Sequence, residues 1–261
     1  MKIVVKIGGV ALEEQSTRRK CARAVGELAR DGHQVTVVHG GGQALTRTLQ
    51  LLGQESKFVD GLRVTDRNTR DVALMVLAGL VNKNLVAAIQ GEGFPALGLS
   101  GGDGVSFRAR KKQRRGCDLG FVGEISAVDS RWLELIAKNG GIPVLSSVAL
   151  GVDGEFYNVN ADEMAAACAA ACHADALIFL TDVAGVKDRE GTVIRYLTTV
   201  EVADLAADRV IGGGMLPKLE ASKEALRRGV RRVRIFPAEQ AEVLPQFYFR
   251  KLEYGTEVTT A

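Results

Sequence analysis

Short apolar segments alternate with amphipathic segments along most of this chain. The β-branched run Lys2–Ile7 predicts a buried strand, and residues 16–30 carry apolar side chains at helical spacing before Gly32. A second strand is predicted at 35–38 and a second helix at 43–52. Strand, helix, strand and helix in this order predict a βαβ unit, and therefore a parallel sheet.

The same alternation continues to the end of the chain. Further strands are predicted at 96–99, 142–145, 176–180, 233–236 and Thr256–Thr259, and further helices at 128–139, 160–173, 200–207 and 217–228. We therefore expect an α/β fold, a three-layer αβα sandwich with a central, mainly parallel sheet. We expect one domain over 1–261, with approximate lobes 1–175 and 176–261, and an edge strand at Thr256–Thr259.

The longest predicted helix covers residues 66–90, with Thr65 as its N-cap and Gly91 at its end. It carries a broad apolar stripe, which is wider than one core contact requires. The stripe consists of Val72, Leu74, Met75, Val76, Leu77, Leu80, Val81, Leu85, Val86 and Ile89. Either a subunit interface or a fully buried helix explains it, and the sequence leaves both open.

Composition and charge exclude several classes of protein. The 34 basic and 31 acidic residues give a net charge of +3, which is too balanced for a nucleic-acid-binding protein. We find no apolar run near the roughly 20 residues that a membrane helix needs, so we expect no membrane partner. The basic run at 108–115 predicts a solvated hairpin or loop, although a charge guide for anionic substrates is the alternative.

The four cysteines are Cys21, Cys117, Cys168 and Cys172, and their spacing is not that of a zinc site. Cys168 and Cys172 lie one helical turn apart in an alanine-rich segment, which favours buried thiols that pack as small apolar groups. A basic and apolar leader does not precede the first strand. We therefore expect a cytoplasmic protein with reduced thiols.

Two lysines stand beside glycine-rich turns near opposite ends of the chain. Lys6 precedes Gly8 and Gly9, and residues 212–214, all glycine, precede Lys218. Glycine lets backbone N–H groups approach an anion, and lysine adds a mobile positive charge. Glycine clusters at 8–9, 40–42 and 101–102 each follow a predicted strand, the usual place for a ligand in an open parallel sheet. Together these features favour phosphoryl transfer.

Other polar residues are candidates for substrate binding. Arg63 precedes the long helix and has the planar fork that binds carboxylates. Asn158, Asn160 and Asp162 form a polar cluster at a predicted helix start, and ordinary capping explains only part of it. We interpret His39, which precedes the glycine triplet, as structural. Motifs of the P-loop and dinucleotide-binding types are absent from the sequence.

The ordered motifs KIGG, VVHGGG, GLRVT, LVNK, NVNAD, TDVAGV and GGGMLPK resemble those of the amino acid kinase family over essentially the whole chain. KIGG and the glycine triplet are shared across that family. GLRVT together with NVNAD is typical of its members that phosphorylate N-acetyl-L-glutamate. The resemblance implies an ATP-dependent kinase that forms N-acetylglutamyl 5-phosphate, the second step of arginine biosynthesis.

The resemblance also implies roles for individual residues. Lys6 and Lys218 would be catalytic and flank the transferred phosphoryl group, with Asp162 organising both. The substrate-binding residues would be Gly41, Gly42, Arg63 and Asn158. The residues that bind phosphate and nucleotide would be Gly8, Gly9, Thr181, Asp182, Val183, Gly185, Val186, Gly213 and Gly214. The lobe 1–175 would then bind N-acetylglutamate and form the dimer, and the lobe 176–261 would bind ATP.

The implied cofactors are ATP and Mg²⁺, with the metal bound mainly by phosphate oxygens and by no named protein ligand. The acceptor carboxylate, with a pKa near 4.3 for a Glu-type acid, is already ionised at neutral pH, so no general base is required. Arginine-inhibited relatives carry an additional N-terminal helix that joins dimers into a hexamer. Only Met1 precedes the first predicted strand here, so we expect a homodimer without arginine feedback.

Two alternatives remain open. A kinase for a carrier-protein-linked aminoadipate or glutamate shares residues 65–67 and 99–101 with this chain, and its acidic carrier could dock on the basic run. A non-catalytic ligand sensor is the second alternative. It would be expected to lack at least one of Lys6, Asp162 and Lys218, and all three are present.

Overall fold

The computed structural model describes residues 1–114, 116–208, 211–247 and 254–260. Its strands, β1 to β14 in chain order, are Lys2–Ile7, Gln34–His39, Phe58–Val59, Leu62–Arg63, Ala96–Leu99, Phe107–Lys111, Val122–Val128, Ile142–Ser146, Val148–Gly151, Phe156–Val159, Ala176–Thr181, Tyr196–Thr198, Arg232–Pro237 and Thr256–Thr259.

The helices, α1 to α10 in chain order, are Val10–Glu13, Gln15–Arg30, Gly42–Leu51, Arg67–Ala73, Asn82–Gly91, Arg131–Lys138, Ala161–Ala171, Thr199–Ala207, Met215–Arg227 and Leu244–Phe247. A π-helical segment, Leu74–Val81, joins α4 to α5 into one long helix, and short 3₁₀ segments lie at Asp103–Val105 and Ala238–Val243.

The main sheet confirms the predicted architecture. Within the described ranges it has the strand order β12-β14-β13-β11-β1-β2-β8-β5, and every neighbouring pair is parallel except β13 with β14. Alternate residues of β1 face opposite layers, since Ile3, Val5 and Ile7 belong to one apolar cluster and Val4 to the other. Helices cover both faces. Because β11, β1 and β2 are neighbouring parallel strands, their carboxyl ends lie side by side at the same end of the sheet.

One strand assignment from the sequence is wrong, and one strand of the main sheet was not predicted. Thr256–Thr259 is not an edge strand, because β14 pairs with β13 on one side and with β12 on the other. The strand β12, Tyr196–Thr198, occupies that edge of the sheet. It has three residues and pairs with residues far along the chain, so local periodicity gives it little signal.

A second sheet was not predicted. Strands β10, β7, β6 and β9 close into a four-stranded sheet that lies apart from the main one. The strand Val122–Val128 extends to the residue where the sequence predicted a helix to begin, and that helix begins only at Arg131. Strand β10 pairs parallel with β7 through Asn158 and Val122, which brings the NVNAD segment beside the hairpin of β6 and β7.

The long helix differs from its prediction in three respects. Its N-cap is Asp66, whose side chain accepts a hydrogen bond from the Thr69 backbone N–H, and not Thr65. The stripe is not fully buried, because Met75 and Leu80 are exposed. The stretch Arg67–Gly91 also has the length and apolar composition of a membrane span, contrary to the sequence estimate, although half of that apolar window is buried inside the protein. A core helix meets the same criteria.

Candidate active site

Asp162 lies between two lysines that come from distant parts of the chain. Lys6, on the central strand β1, places its Nζ 2.9 Å from Oδ1 of Asp162. Lys218, on α9, places its Nζ 3.1 Å from Oδ2. Asp162 itself is in the first turn of α7, where the Asn160 side chain caps the helix by accepting from the N–H groups of Asp162 and Glu163. The structure thus brings together the three residues for which the resemblance implied catalysis.

Two positive charges surround one buried negative charge in this cluster. Burial acts to raise the pKa of Asp162, but the ammonium groups of Lys6 and Lys218 outweigh it and lower that pKa below its ordinary value. Burial and the repulsion from Lys6 lower the pKa of Lys218, although Asp162 opposes this shift. The Lys218 ammonium also lies 5.0 Å from the Phe179 ring centroid. The cluster therefore holds surplus positive charge that a phosphate can neutralise.

Close packing surrounds two of the glycines at the site. A Cβ at Gly8 would displace the Lys6 ammonium from its present position. Gly41 has a φ of 148°, and a Cβ there would lie 2.8 Å from the Leu77 side chain. The helix α3 starts at Gly42 with no side-chain cap on its first N–H groups. The N–H of Gly8, by contrast, donates to the Leu180 carbonyl at 3.3 Å.

Arg63 ends the small hairpin of β3 and β4 and is buried. Its guanidinium donates to the Ser56 hydroxyl, to the Gly42 carbonyl at 3.0 Å and to the Thr46 hydroxyl at 2.8 Å. It also stacks over the Phe58 ring, 4.7 Å from the ring centroid. These contacts fix the guanidinium in place, and three of its five N–H groups are engaged by described residues, which leaves two for a ligand.

Most of these residues line one cavity of about 250 Å³. Lys6 and Asp162 form part of its wall, and Lys218 lies behind Asp162, outside the lining. The predicted residues in its lining are Lys6, Gly8, Gly9, Gly41, Gly42, Arg63, Asn158 and Asp162. A neighbouring cavity of about 360 Å³ shares Gly9, Gly41, Gly42, Phe58 and Arg63 with it. The two form one cleft along the carboxyl ends of β1 and β2.

A separate cavity of about 400 Å³ lies where the sequence predicted nucleotide-binding residues. Four of these residues line it, namely Asp182, Val183, Gly185 and Val186. Gly213 and Gly214 do not, although Gly212 and Met215 on either side of them do. Thr181 ends β11 and is also outside the lining, and its hydroxyl donates to Oδ1 of Asp182 at 3.0 Å. Asp182 lies close to Gly9, so this cavity adjoins the lysine cluster.

His39 is fully buried beneath the glycine triplet, in agreement with its structural interpretation. Burial lowers its pKa to about 4, so the imidazole is neutral at physiological pH. Its Nδ1 lies 2.8 Å from the Gly40 carbonyl, and its Nε2 lies 3.0 Å from Nδ2 of Asn82. Because the carbonyl needs a donor, Nδ1 carries the proton and Nε2 accepts from Asn82. This arrangement fixes the peptide between Gly40 and Gly41.

The basic run forms the end of the hairpin of β6 and β7, with Arg115 outside the described residues. Four of its five described basic residues, Arg110, Lys111, Lys112 and Arg114, each pair with an acidic side chain, and Arg108 donates to the Gly151 carbonyl at 3.4 Å. The pairs are Arg110–Glu124, Lys111–Asp118, Lys112–Glu163 and Arg114–Asp60. Their charge is therefore largely neutralised within the chain. Two of the pairs reach residues beside the active-site cluster, since Glu163 follows Asp162 and Asp60 precedes Gly61 of the cavity wall.

The buried cysteines lie outside the lining of the cavities described above, and the described acidic, histidine and cysteine side chains give no metal site. Cys21, Cys168 and Cys172 are buried, and burial raises the pKa of Cys21 to about 12. Across the described ranges, the His, Cys, Asp and Glu side chains form no group of three or more that could hold a metal ion. Asp162, the carboxylate nearest the lysines, is committed to them.

Sequence analysis missed two polar residues that support the site. Asn82 belongs to the LVNK motif and is fully buried. Its side-chain amide donates to Nε2 of His39 at 3.0 Å and to the Val144 carbonyl at 2.9 Å. Thr65 was interpreted as a helix cap, yet it is fully buried. A polar residue within the apolar stripe of the long helix was the signal available for Asn82.

Comparisons with known proteins agree with this geometry. An acetylglutamate kinase from Acidobacterium capsulatum is 63% identical over 258 residues, with 99% of both chains covered. One from Koribacter versatilis is 56% identical, with 99% of this chain and 98% of that chain covered. The crystal structure of smu.665 from Streptococcus mutans superposes with a TM-score of 0.82 at 29% identity, covering 100% of this chain and 99% of that one. The sequence model of the amino acid kinase family matches residues 1–237, and the chain therefore belongs to the amino acid kinase family.

Proposed function

We propose that this protein transfers the γ-phosphoryl group of ATP to the side-chain carboxylate of N-acetyl-L-glutamate. The product is N-acetylglutamyl 5-phosphate, the second intermediate of arginine biosynthesis. One observation carries the proposal: Lys6 and Lys218 converge on Asp162 beside a cavity that also holds Arg63 and Asn158. The acetylglutamate kinases at 63% and 56% identity support the same substrate.

The acceptor lies in the 250 Å³ cavity, with its α-carboxylate on Arg63 and Asn158. The guanidinium is buried and held by three protein acceptors, so it is oriented before the substrate arrives. The apolar side chains of the lining, Leu62, Leu77 and Val122 among them, suit the methyl group of an acetyl substituent. The side-chain carboxylate then points towards Lys6.

Phosphoryl transfer requires no general base. The acceptor carboxylate is ionised at neutral pH, and one of its oxygens forms the new bond to the γ-phosphorus while the bond to the bridging oxygen of ADP breaks. The obstacle is repulsion between two anions, which Lys6 and Lys218 reduce from the two sides of the transferred group. The backbone N–H groups of Gly9, Gly41 and Gly42 add donors at the helix and loop starts beside it. Asp162 keeps both ammonium groups in place throughout.

The nucleotide occupies the cavity of about 400 Å³ in the lobe 176–261. Residues 212–214 precede α9, whose N-terminus has no side-chain cap and so favours phosphate. Mg²⁺ would supply further neutralisation of the phosphates and would be held mainly by phosphate oxygens, since the nearby Asp162 is committed to lysines. The described carboxylates offer no ready-made cage for this ion.

We also propose a cytoplasmic homodimer. The lobe 1–175 supplies the interface through the outer face of the long helix, where Met75 and Leu80 are 62% and 56% exposed. The apolar composition of the segment Leu74–Val81 supports burial of this face against a second copy. The buried thiols are consistent with a reducing compartment.

The carrier-linked alternative is less well supported. An acidic carrier would need unpaired positive charge on the basic run, yet the described basic residues from 110 to 114 are each paired within the chain.

A substrate panel tests the proposed function. ADP release is measured with ATP, Mg²⁺ and each of N-acetyl-L-glutamate, L-glutamate, L-aspartate and carbamate. We expect turnover with N-acetyl-L-glutamate alone. Equal turnover with free L-glutamate would contradict the proposed acceptor. No turnover with any of the four would also contradict it and would favour a carrier-linked substrate.

A further inference from the structure

Thr65 lies between the two residues that we propose to bind the substrate α-carboxylate. It is fully buried, and its hydroxyl donates to the Arg63 carbonyl oxygen at 2.9 Å. The same hydroxyl oxygen accepts from Nδ2 of Asn158 in a longer contact of 3.4 Å. One side-chain oxygen therefore connects the main chain of Arg63 to the amide of Asn158.

The single hydroxyl proton determines how the Asn158 amide is turned. Because that proton is committed to the Arg63 carbonyl, the Asn158 atom facing the hydroxyl has to be a donor. Nδ2 therefore faces Thr65, and Oδ1 is directed away from it. The second N–H of Nδ2 remains for a ligand in the cavity that Asn158 lines.

The main chain of Thr65 is held as firmly as its side chain. Its N–H donates to the Leu119 carbonyl at 2.9 Å, and its carbonyl accepts from the Phe121 N–H at 2.6 Å. The Phe121 carbonyl in turn accepts from the Asn158 N–H at 2.9 Å. Arg63 and Asn158 belong to different sheets, and Thr65 joins them through both backbone and hydroxyl contacts.

We propose that Thr65 is a positioning residue for the acceptor, which sets the relative orientation of Arg63 and Asn158 around the substrate α-carboxylate. This inference rests on the proposed function. It gives the hydroxyl a role beyond folding, because the bond to Asn158 acts on the residue that contacts substrate. The cavity that we propose for ATP does not include Thr65 in its lining.

Steady-state kinetics of Thr65→Val and Thr65→Ser test the proposal. Valine has the shape of threonine without the hydroxyl, so we expect the KM for N-acetyl-L-glutamate to rise about tenfold, from the loss of one or two buried hydrogen bonds. The KM for ATP should change less than about twofold. Thr65→Ser keeps the hydroxyl and should restore the KM for N-acetyl-L-glutamate to near its original value.

A matched control separates positioning from general destabilisation. Thr17→Val removes another buried threonine hydroxyl, on α2, where its partner is Glu14 and not a cavity residue. It should lower thermal stability without changing either KM. If Thr65→Val fails to fold, Thr65→Ala removes the same hydroxyl without placing a methyl group against the Arg63 carbonyl.

A double-mutant cycle with Asn158→Ala tests the connection itself. If the hydroxyl acts through Asn158, Thr65→Val should raise the KM for N-acetyl-L-glutamate only about threefold or less in that background. Fully multiplicative effects, parallel rises in both KM values, or no change in Thr65→Val would each overturn the inference while leaving the reaction intact. Wild-type protein with no turnover of N-acetyl-L-glutamate would instead overturn the proposed function, and this inference with it.

Discussion

Lys218 reaches Asp162 from the opposite side to Lys6, with its Nζ 3.1 Å from the Asp162 carboxylate and its side chain only 7% exposed. A lysine so deeply buried is costly unless a carboxylate pairs with it. Asp162 can pair with both lysines because Lys6, on β1, contacts Oδ1 at 2.9 Å, whereas Lys218, on α9, lies nearest to Oδ2. The surplus positive charge of this cluster is the feature from which the proposed chemistry follows.

Removal of the Lys218 charge should affect the chemical step and not binding. We expect Lys218→Met to lower kcat by about 10²- to 10³-fold, with little change in the KM of either substrate, because the charge acts on the transferring phosphoryl group. Lys223→Met is the control, since Lys223 lies on the same helix and pairs with the exposed Glu220, away from Asp162. An unchanged kcat in Lys218→Met would remove Lys218 from the mechanism.

The pH dependence of kcat/KM should show the lowered pKa of Lys218, because this parameter reports the free enzyme. Burial and Lys6 place this pKa below the ordinary lysine value of about 10.4, so kcat/KM should fall on the alkaline side before that pH is reached. At pH values between the lowered pKa of Lys218 in the folded protein and its ordinary pKa, the unfolded chain binds more protons at Lys218 than the folded chain does. The contribution of Lys218 to the free energy of unfolding therefore increases with pH, opposite in sign to the activity.

Lys218→Arg is the comparison variant for this alkaline decrease in activity. A guanidinium stays protonated, so the decrease should move to higher pH even if kcat/KM is lower at every pH. Circular dichroism at each pH checks that the fold persists. An acid limb near pH 6.5 would contradict the neutral, structural role of His39, whose pKa is lowered to about 4.

The glycine at position 41 should be indispensable for activity. Gly41→Ala combines a positive φ with a Cβ 2.8 Å from Leu77, so the loop has to shift, and we expect kcat/KM to fall about 10²-fold. Gly53→Ala is the matched control, because Gly53 also has a positive φ but open space around it. It should lower the free energy of unfolding by about 1–2 kcal/mol and leave kcat/KM unchanged. Equal losses of activity in both variants would contradict the close-approach argument.

The outer face of the long helix should mediate dimerisation. Sedimentation of the wild-type protein should give about twice the 27.9 kDa chain mass. The double substitution Met75→Glu and Leu80→Glu places charge on this face and should yield a monomer. The paired substitution Leu51→Glu and Leu52→Glu alters exposed leucines at the end of α3 and should leave the dimer unchanged. A wild-type monomer would refute the interface directly.

Local sequence patterns predicted the strands and helices whose formation depends on residues that are neighbours in the chain. The strand Lys2–Ile7 is a largely apolar, β-branched run that ends at Gly8 and Gly9, and Ala176–Thr181 is a fully buried apolar run. The convergence of Lys6 and Lys218 could be anticipated from the motifs, because each lysine stands beside a glycine-rich turn of the kind that binds phosphate. The distances between Lys6, Asp162 and Lys218 were not available from any local pattern.

Features that depend on non-local pairing were missed. The closed four-stranded sheet arises from short strands whose partners lie on other segments, so alternation within each strand is too brief to detect. Thr65 satisfies the sequence rule for an N-cap as well as Asp66 does. Only the tertiary contacts of the Thr65 main chain with Leu119 and Phe121 remove it from the helix end. The same contacts give it the position between Arg63 and Asn158.

The most direct test of the account is to trap the acyl phosphate with hydroxylamine. Wild-type protein with ATP, Mg²⁺ and N-acetyl-L-glutamate should give one hydroxamate for each ADP released, and Lys218→Met should give neither above background. ADP release without hydroxamate, or hydroxamate formation that is unaffected by Lys218→Met, would contradict transfer to the side-chain carboxylate between Lys6 and Lys218.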